Sequence, residues 1–156
     1  GGATLTVSVS AGTAELLTFT PGGAPPTSTV VGSPSGKCLS VSGGATADGS
    51  TADIFTCNGT PSQNWTVEGN GEIVGGLSGK CLTVTGGSTA NYAGVSIAGC
   101  TGATDQQWTV HSGSTIVGTQ SGKCLSVLGA STANGATTDI YTCNGSPSEN
   151  WTPHVS

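Results

Sequence analysis

The chain has 156 residues, of which 27 are Gly, 7% are charged, 4% are aromatic and none is Met. Three Lys and Arg against eight Asp and Glu give a formal charge of −5, which argues against nucleic acid and anionic membrane, because both require clustered cations. No run of 18 apolar residues is present for a membrane-spanning helix. No charged segment leads into an apolar one, so any signal peptide is expected to have been removed.

In chain order, residues 1–28 stand apart from the rest. Leu5, Val7 and Val9 alternate, Ala11-Gly12-Thr13 turns the chain, and Leu16-Leu17-Thr18-Phe19 predicts a second strand. This segment reads as a short β-hairpin or tail of an upstream β domain. Pro21–Ser28, with Pro25-Pro26, has the composition of a linker.

A repeat then begins. Cys38, Cys81 and Cys124 are spaced by 43 residues, as are Cys57, Cys100 and Cys143, and Trp65, Trp108 and Trp151. Lys37, Lys80 and Lys123, the only cationic side chains besides His, each precede the first Cys of a set. Residues 35–65 and 121–151 are identical at 22 of 31 positions without a gap. Three copies of one unit follow, spanning 29–71, 72–114 and 115–156.

Each unit predicts four short strands between Gly, Ser, Thr and Pro turns. In the first they are Thr29–Gly32, Lys37–Val41, Ala52–Cys57 and Gln63–Val67. No helical period is sustained, so the class is all-β, and twelve strands with pseudo-threefold symmetry predict a β-trefoil. Strand alternation puts Leu39, Val41 and Ile54 inside and Cys38, Ser40, Asp53, Phe55 and Cys57 on the other face. The Trp of each unit is expected in the core.

The two Cys of each unit lie 19 residues apart, with neither CxxC spacing nor nearby His for zinc, so no metal or other cofactor is expected. Three disulfides within the units, Cys38–Cys57, Cys81–Cys100 and Cys124–Cys143, are predicted, each contributing about 3 kcal/mol through loop closure. They point to an oxidising, extracellular compartment and a secreted protein. They would also hold Ser40 near Asp53 and Phe55, forming a polar and aromatic pocket on each unit.

Gly36-Lys37-Cys38-Leu39-Ser40-Val41, Cys57-Asn58-Gly59 and Gln63-Asn64-Trp65, repeated with matching Cys pairs, resemble a ricin B-type lectin repeat with its QxW motif. The threefold form in bacterial enzymes is carbohydrate-binding module family 13. The resemblance covers residues 29–156 and implies up to three shallow sugar sites, one per unit. Its sugar contacts map onto Ser40, Asp53, Phe55, Asn58, Ser62 and Gln63 in the first unit. In the third they map onto Ser126, Asp139, Tyr141, Asn144, Ser148 and Glu149. The second supplies Thr83, Ser96, Ala98, Thr101, Asp105 and Gln106, a weaker set because Ala98 replaces the aromatic. The family Asp after the first Cys is Ser40, Thr83 and Ser126 here, and the third unit has Glu149 where the motif has Gln.

A pyranose packs its C–H face on an aromatic ring and satisfies its hydroxyls on Asp, Asn and Gln, so these residue types suit sugar. Other roles compete. Gln63 and Gln106 could instead hold trefoil backbone, and Phe55 and Tyr141 could cover the disulfides. Asp48 and Asn134 read as turn residues, while Tyr92 breaks the turn pattern and is a candidate for the second unit's missing aromatic.

An active site within the chain is not expected. A glycosidase needs two carboxylates about 5–10 Å apart across one cleft, whereas Asp53 and Asp139 occupy equivalent places in different units. A heparin-binding trefoil would need a basic patch, and a trefoil protease inhibitor an exposed inhibitory loop. Residues 1–28 resemble the last hairpin of the β-sandwich in α-galactosidase-like glycoside hydrolases. The resulting expectation is a lectin-like module that targets an attached glycoside hydrolase to plant-type polysaccharide containing galactose, arabinose or xylose. The alternative is a structural trefoil with little sugar affinity. The expected partners are mono-, oligo- or polysaccharide and an upstream catalytic domain, with neither nucleic acid nor membrane.

Overall fold

The computed structural model describes residues 28–111 and 114–155. The hairpin expected in the first 27 residues, and the linker up to Thr27, lie outside them. Twelve strands form: β1 Ser28–Gly32, β2 Cys38–Val41, β3 Ala52–Phe55 and β4 Trp65–Val67 in the first repeat. The second repeat carries β5 Ile73–Gly75, β6 Cys81–Val84, β7 Val95–Ala98 and β8 Trp108–Val110. The third carries β9 Ile116–Gly118, β10 Cys124–Val127, β11 Thr138–Tyr141 and β12 Trp151–Val155.

Antiparallel pairs β1–β4, β4–β5, β8–β9 and β12–β1 build a barrel, and the hairpins β2–β3, β6–β7 and β10–β11 cap it. The first and last strands pair along five residues, Ser28 with Val155 through Gly32 with Trp151, which closes the chain on itself. This is the predicted all-β trefoil. Ser28 belongs to the first strand of the barrel rather than to the linker, because it pairs with both Val155 and Trp65.

The core repeats with the sequence. Leu39, Leu82 and Leu125 face Ile54, Ile97 and Ile140 across the hairpins, and all six are fully buried. Trp65, Trp108 and Trp151 join them, each donating its indole N–H to the carbonyl of the Leu in its own repeat at 2.9 Å. A chain with few aromatics thus buries three of its largest rings without leaving a donor unpaired, which would cost about 1–3 kcal/mol each.

The predicted fourth strand starts too early. Pro61–Gln63 forms a single 3-10 turn with Pro at its start, and the strand begins at Trp65. Pro147–Glu149 does the same in the third repeat, and Thr104–Gln106 forms the equivalent turn without Pro in the second. Strand β2 likewise starts at Cys38 rather than Lys37, and β3 ends at Phe55 rather than Cys57.

The three disulfides pair as predicted, each with Cα atoms 5.1 Å apart. All six Cys should therefore resist alkylation in the unreduced protein. One stoichiometric free thiol, counted by intact mass after iodoacetamide, would contradict the pairing.

The turns beyond β2, β6 and β10 fasten one repeat to the next. The carboxylate of Asp48 accepts from Gly99 N–H at 3.1 Å, Asn91 Oδ1 from Thr142 N–H at 2.9 Å, and Asn134 Oδ1 from Thr56 N–H at 2.9 Å. Beside them, the N–H groups of Gly49, Tyr92 and Gly135 donate to the carbonyls of Ile97, Ile140 and Ile54 at 2.7–2.8 Å. Asp48 and Asn134 are turn residues as expected, and the turns also form the seams of the trefoil.

Candidate functional site

Hairpin register assembles the pockets. Ser40 stands opposite Asp53, Thr83 opposite Ser96, and Ser126 opposite Asp139, each on the face turned away from the core. The loop from the third strand to the 3-10 turn then folds over this face, positioned by the side chain three residues into that turn.

Gln63 shows how. It is fully buried, accepts from Asn58 N–H at 2.9 Å and donates its amide to Thr56 O at 2.8 Å. Gln106 does the same with Thr101 N–H at 2.8 Å and Gly99 O at 2.9 Å. Both Gln side chains are therefore committed to holding the loop. Glu149 keeps the first contact, from Asn144 N–H at 2.9 Å, but has no amide to donate, and its buried Oε2 is left without a partner.

All six residues expected in the first repeat line one cavity of about 360 Å³: Ser40, Asp53, Phe55, Asn58, Ser62 and Gln63. Leu77, from the second repeat, forms part of its rim and was not foreseen. Phe55 is 41% exposed, so its ring is presented to solvent rather than packed away. Asn58 Oδ1 receives both the N–H and the hydroxyl of Thr60, at 3.1 and 2.8 Å, leaving its NH2 as the group available to a ligand.

The six residues of the third repeat likewise converge on a cavity of about 250 Å³: Ser126, Asp139, Tyr141, Asn144, Ser148 and Glu149. Tyr92 joins them from the second repeat, its ring centroid 5.1 Å from that of Tyr141 with the planes tilted by 58°. It is therefore not the replacement for the second repeat's missing aromatic, for which the sequence makes it a candidate. The turn that carries it docks on the following repeat and aims the ring at the neighbour's pocket.

Asp53 and Asp139 are the chemically distinctive groups. Each is only 3–5% exposed, and Oδ1 of each has no hydrogen-bond partner. Burial pushes the Asp53 carboxyl up to about 6, opposed by its own backbone N–H. Burial, then the neighbouring Glu149 charge, pushes Asp139 up to about 6, again opposed by its own N–H. Both carboxyls line their cavities, so a ligand seated there meets them. The two Asp line separate cavities, although β3 and β11 touch at the centre of the fold.

The second repeat is self-satisfied. Thr83 Oγ1 donates to Cys81 O at 2.8 Å and accepts from Gln106 at 3.2 Å, while Ser96 pairs with Thr85 at 3.0 Å. Asp105 is half-buried on its 3-10 turn, and Ala98 offers no ring.

Residues 26–152 match the ricin-type β-trefoil lectin domain family, and the chain belongs to it. Among solved structures it is similar to a designed 3-fold symmetric protein, ThreeFoil, at 32% identity and a TM-score of 0.79, covering 83% of this chain and 99% of that one. It is also similar to an exo-β-1,3-galactanase from Clostridium thermocellum, at 25% identity and a TM-score of 0.78, over 84% of this chain but 30% of the enzyme. The agglutinin of Abrus precatorius matches at 27% identity and a TM-score of 0.72, over 84% of this chain and 49% of the agglutinin. No curated protein sequence matches the chain. Fold and family together make carbohydrate binding the class of function supported.

Proposed function

We propose that this chain binds carbohydrate through the pockets of its first and third repeats and targets an attached, secreted glycoside hydrolase to plant-type polysaccharide. The observation that carries the reading is the convergence, in both pockets, of an aromatic ring, an aspartate carboxylate and a loop Asn on one cavity. A pyranose complements this set, with an apolar face for the ring and hydroxyl donors for the carboxylate. In this reading residues 29–156 (with Ser28 added) form a module of the family-13 type, and 1–27 trail from an upstream β domain. Three disulfides fit an extracellular setting. The likeness to part of an exo-β-1,3-galactanase supports an enzyme-linked role, and galactose, arabinose and xylose are the sugars proposed.

Affinity gels containing galactan, arabinan and xylan test the reading directly. Retardation on one of them is expected, and none on any of them would leave a structural trefoil as the better account. The pockets should also rank, third first, then the first, with the second weak or silent. Tyr141→Ala should weaken binding by about fivefold, on the order of 1 kcal/mol for a stacked ring, and by more than Phe55→Ala. Equal occupancy of all three repeats in a sugar-soaked crystal would sink this order.

A further inference from the structure

Tyr92 occupies a backbone position that the other two repeats give to glycine. Its φ is +73°, against +88° at Gly49 and +84° at Gly135, a left-handed conformation in which a bulky side chain is strained. The fold does not require the ring. Its N–H makes the same seam bond as Gly49 and Gly135 make, and the side chain is 62% exposed. The aromatic neighbour the ring meets is Tyr141, at 5.1 Å. The phenol pKa is raised, chiefly by the neighbouring Tyr141 hydroxyl through hydrogen bonding and charge, and least by Asp139.

We propose that Tyr92 is a second sugar-contacting ring of the third pocket, which makes that site a composite of two repeats and a binder of oligosaccharide rather than of a single sugar. This rests on the carbohydrate reading of the pocket. Two rings tilted by 58° cannot both lie flat on one pyranose, so they present faces to successive residues of a chain. The first pocket has Leu77 on its rim and one ring, Phe55, which suits a shorter ligand.

The test compares the parent protein with Tyr92→Gly and Tyr92→Phe by site-resolved NMR titration. The probes are galactose, xylose and arabinose, and the trisaccharides galactotriose, xylotriose and arabinotriose. Tyr92→Gly restores the residue type of the sister turns, so its melting temperature should match or exceed the parent's. At the third pocket it should lose about threefold to tenfold in trisaccharide affinity with monosaccharide affinity within about twofold, while Tyr92→Phe keeps most of the trisaccharide affinity. An equal loss for both ligand sizes, or no loss for either, overturns the composite site while leaving sugar binding intact. Failure of the parent to bind any of the six probes at this pocket overturns the carbohydrate reading and the composite site with it.

Discussion

Glu149→Gln is expected to stabilise the protein at pH 7 by about 2 kcal/mol, because the swap supplies a donor where a buried oxygen now has no partner. The sister positions show what is missing. Gln63 and Gln106 each accept one loop N–H and donate to one loop carbonyl, whereas Glu149 accepts one and has no amide to donate. For a chain of this size the gain corresponds to a melting temperature higher by roughly 5 °C. The reverse change, Gln63→Glu, should lower stability by a similar amount. Scanning calorimetry of both variants checks the pair, and a Glu149→Gln protein that melts at or below the parent temperature would refute the argument. Removing the Glu149 charge also removes one of the causes that raise Asp139, so Asp139 should titrate lower in this variant.

Much of the architecture was legible because the 43-residue period repeats every strand, cysteine and tryptophan three times. Alternation sorted Leu39 and Ile54 from Ser40 and Asp53 correctly, since a strand has one face for the core and one for the pocket. Gln63 was harder to place. Pro61 signals a turn, but one 3-10 turn leaves no period to detect, so the segment read as part of a strand. The break at Tyr92 was visible against Gly49 and Gly135, yet its destination was not. A turn's own residues do not say which neighbouring repeat it docks on; that depends on barrel closure by β1 and β12 and on seam bonds such as Asn91 to Thr142. Nor does alternation reveal that a side chain on the outer face, such as Asp139, is itself nearly buried beneath a loop held by Glu149.

Asp139→Asn is expected to weaken sugar binding at the third pocket by about tenfold or more at pH 7. The family resemblance implies a carboxylate two residues after the first Cys, where this chain has Ser126. Asp139 stands directly across the hairpin from it and is proposed to supply the charged acceptor from the facing strand. A hydrogen bond to a charged, shielded acceptor is worth about 1.5–3 kcal/mol, whereas Asn keeps the shape and loses the charge. The pH dependence carries the sharper signature. With its pKa raised from 3.8 to about 6 in the folded protein, Asp139 contributes stability that is fully present below about pH 4 and lost as pH rises through 6. Binding runs the other way. Hydroxyl donors favour the carboxylate, so affinity should rise with pH through about 6, with proton release when sugar binds in that range. Asp139→Asn should remove most of the binding trend at this pocket and Asp139's share of the stability trend, leaving that of Asp53, and parent and variant affinities should converge near pH 4.5. The second repeat, with Thr83 and Ser96 in the corresponding places, has no group to produce either trend. Calorimetric titration at pH 4.5 and 7 decides the matter: a folded Asp139→Asn protein that binds as tightly as the parent at pH 7 would show that the carboxylate has no part in recognition.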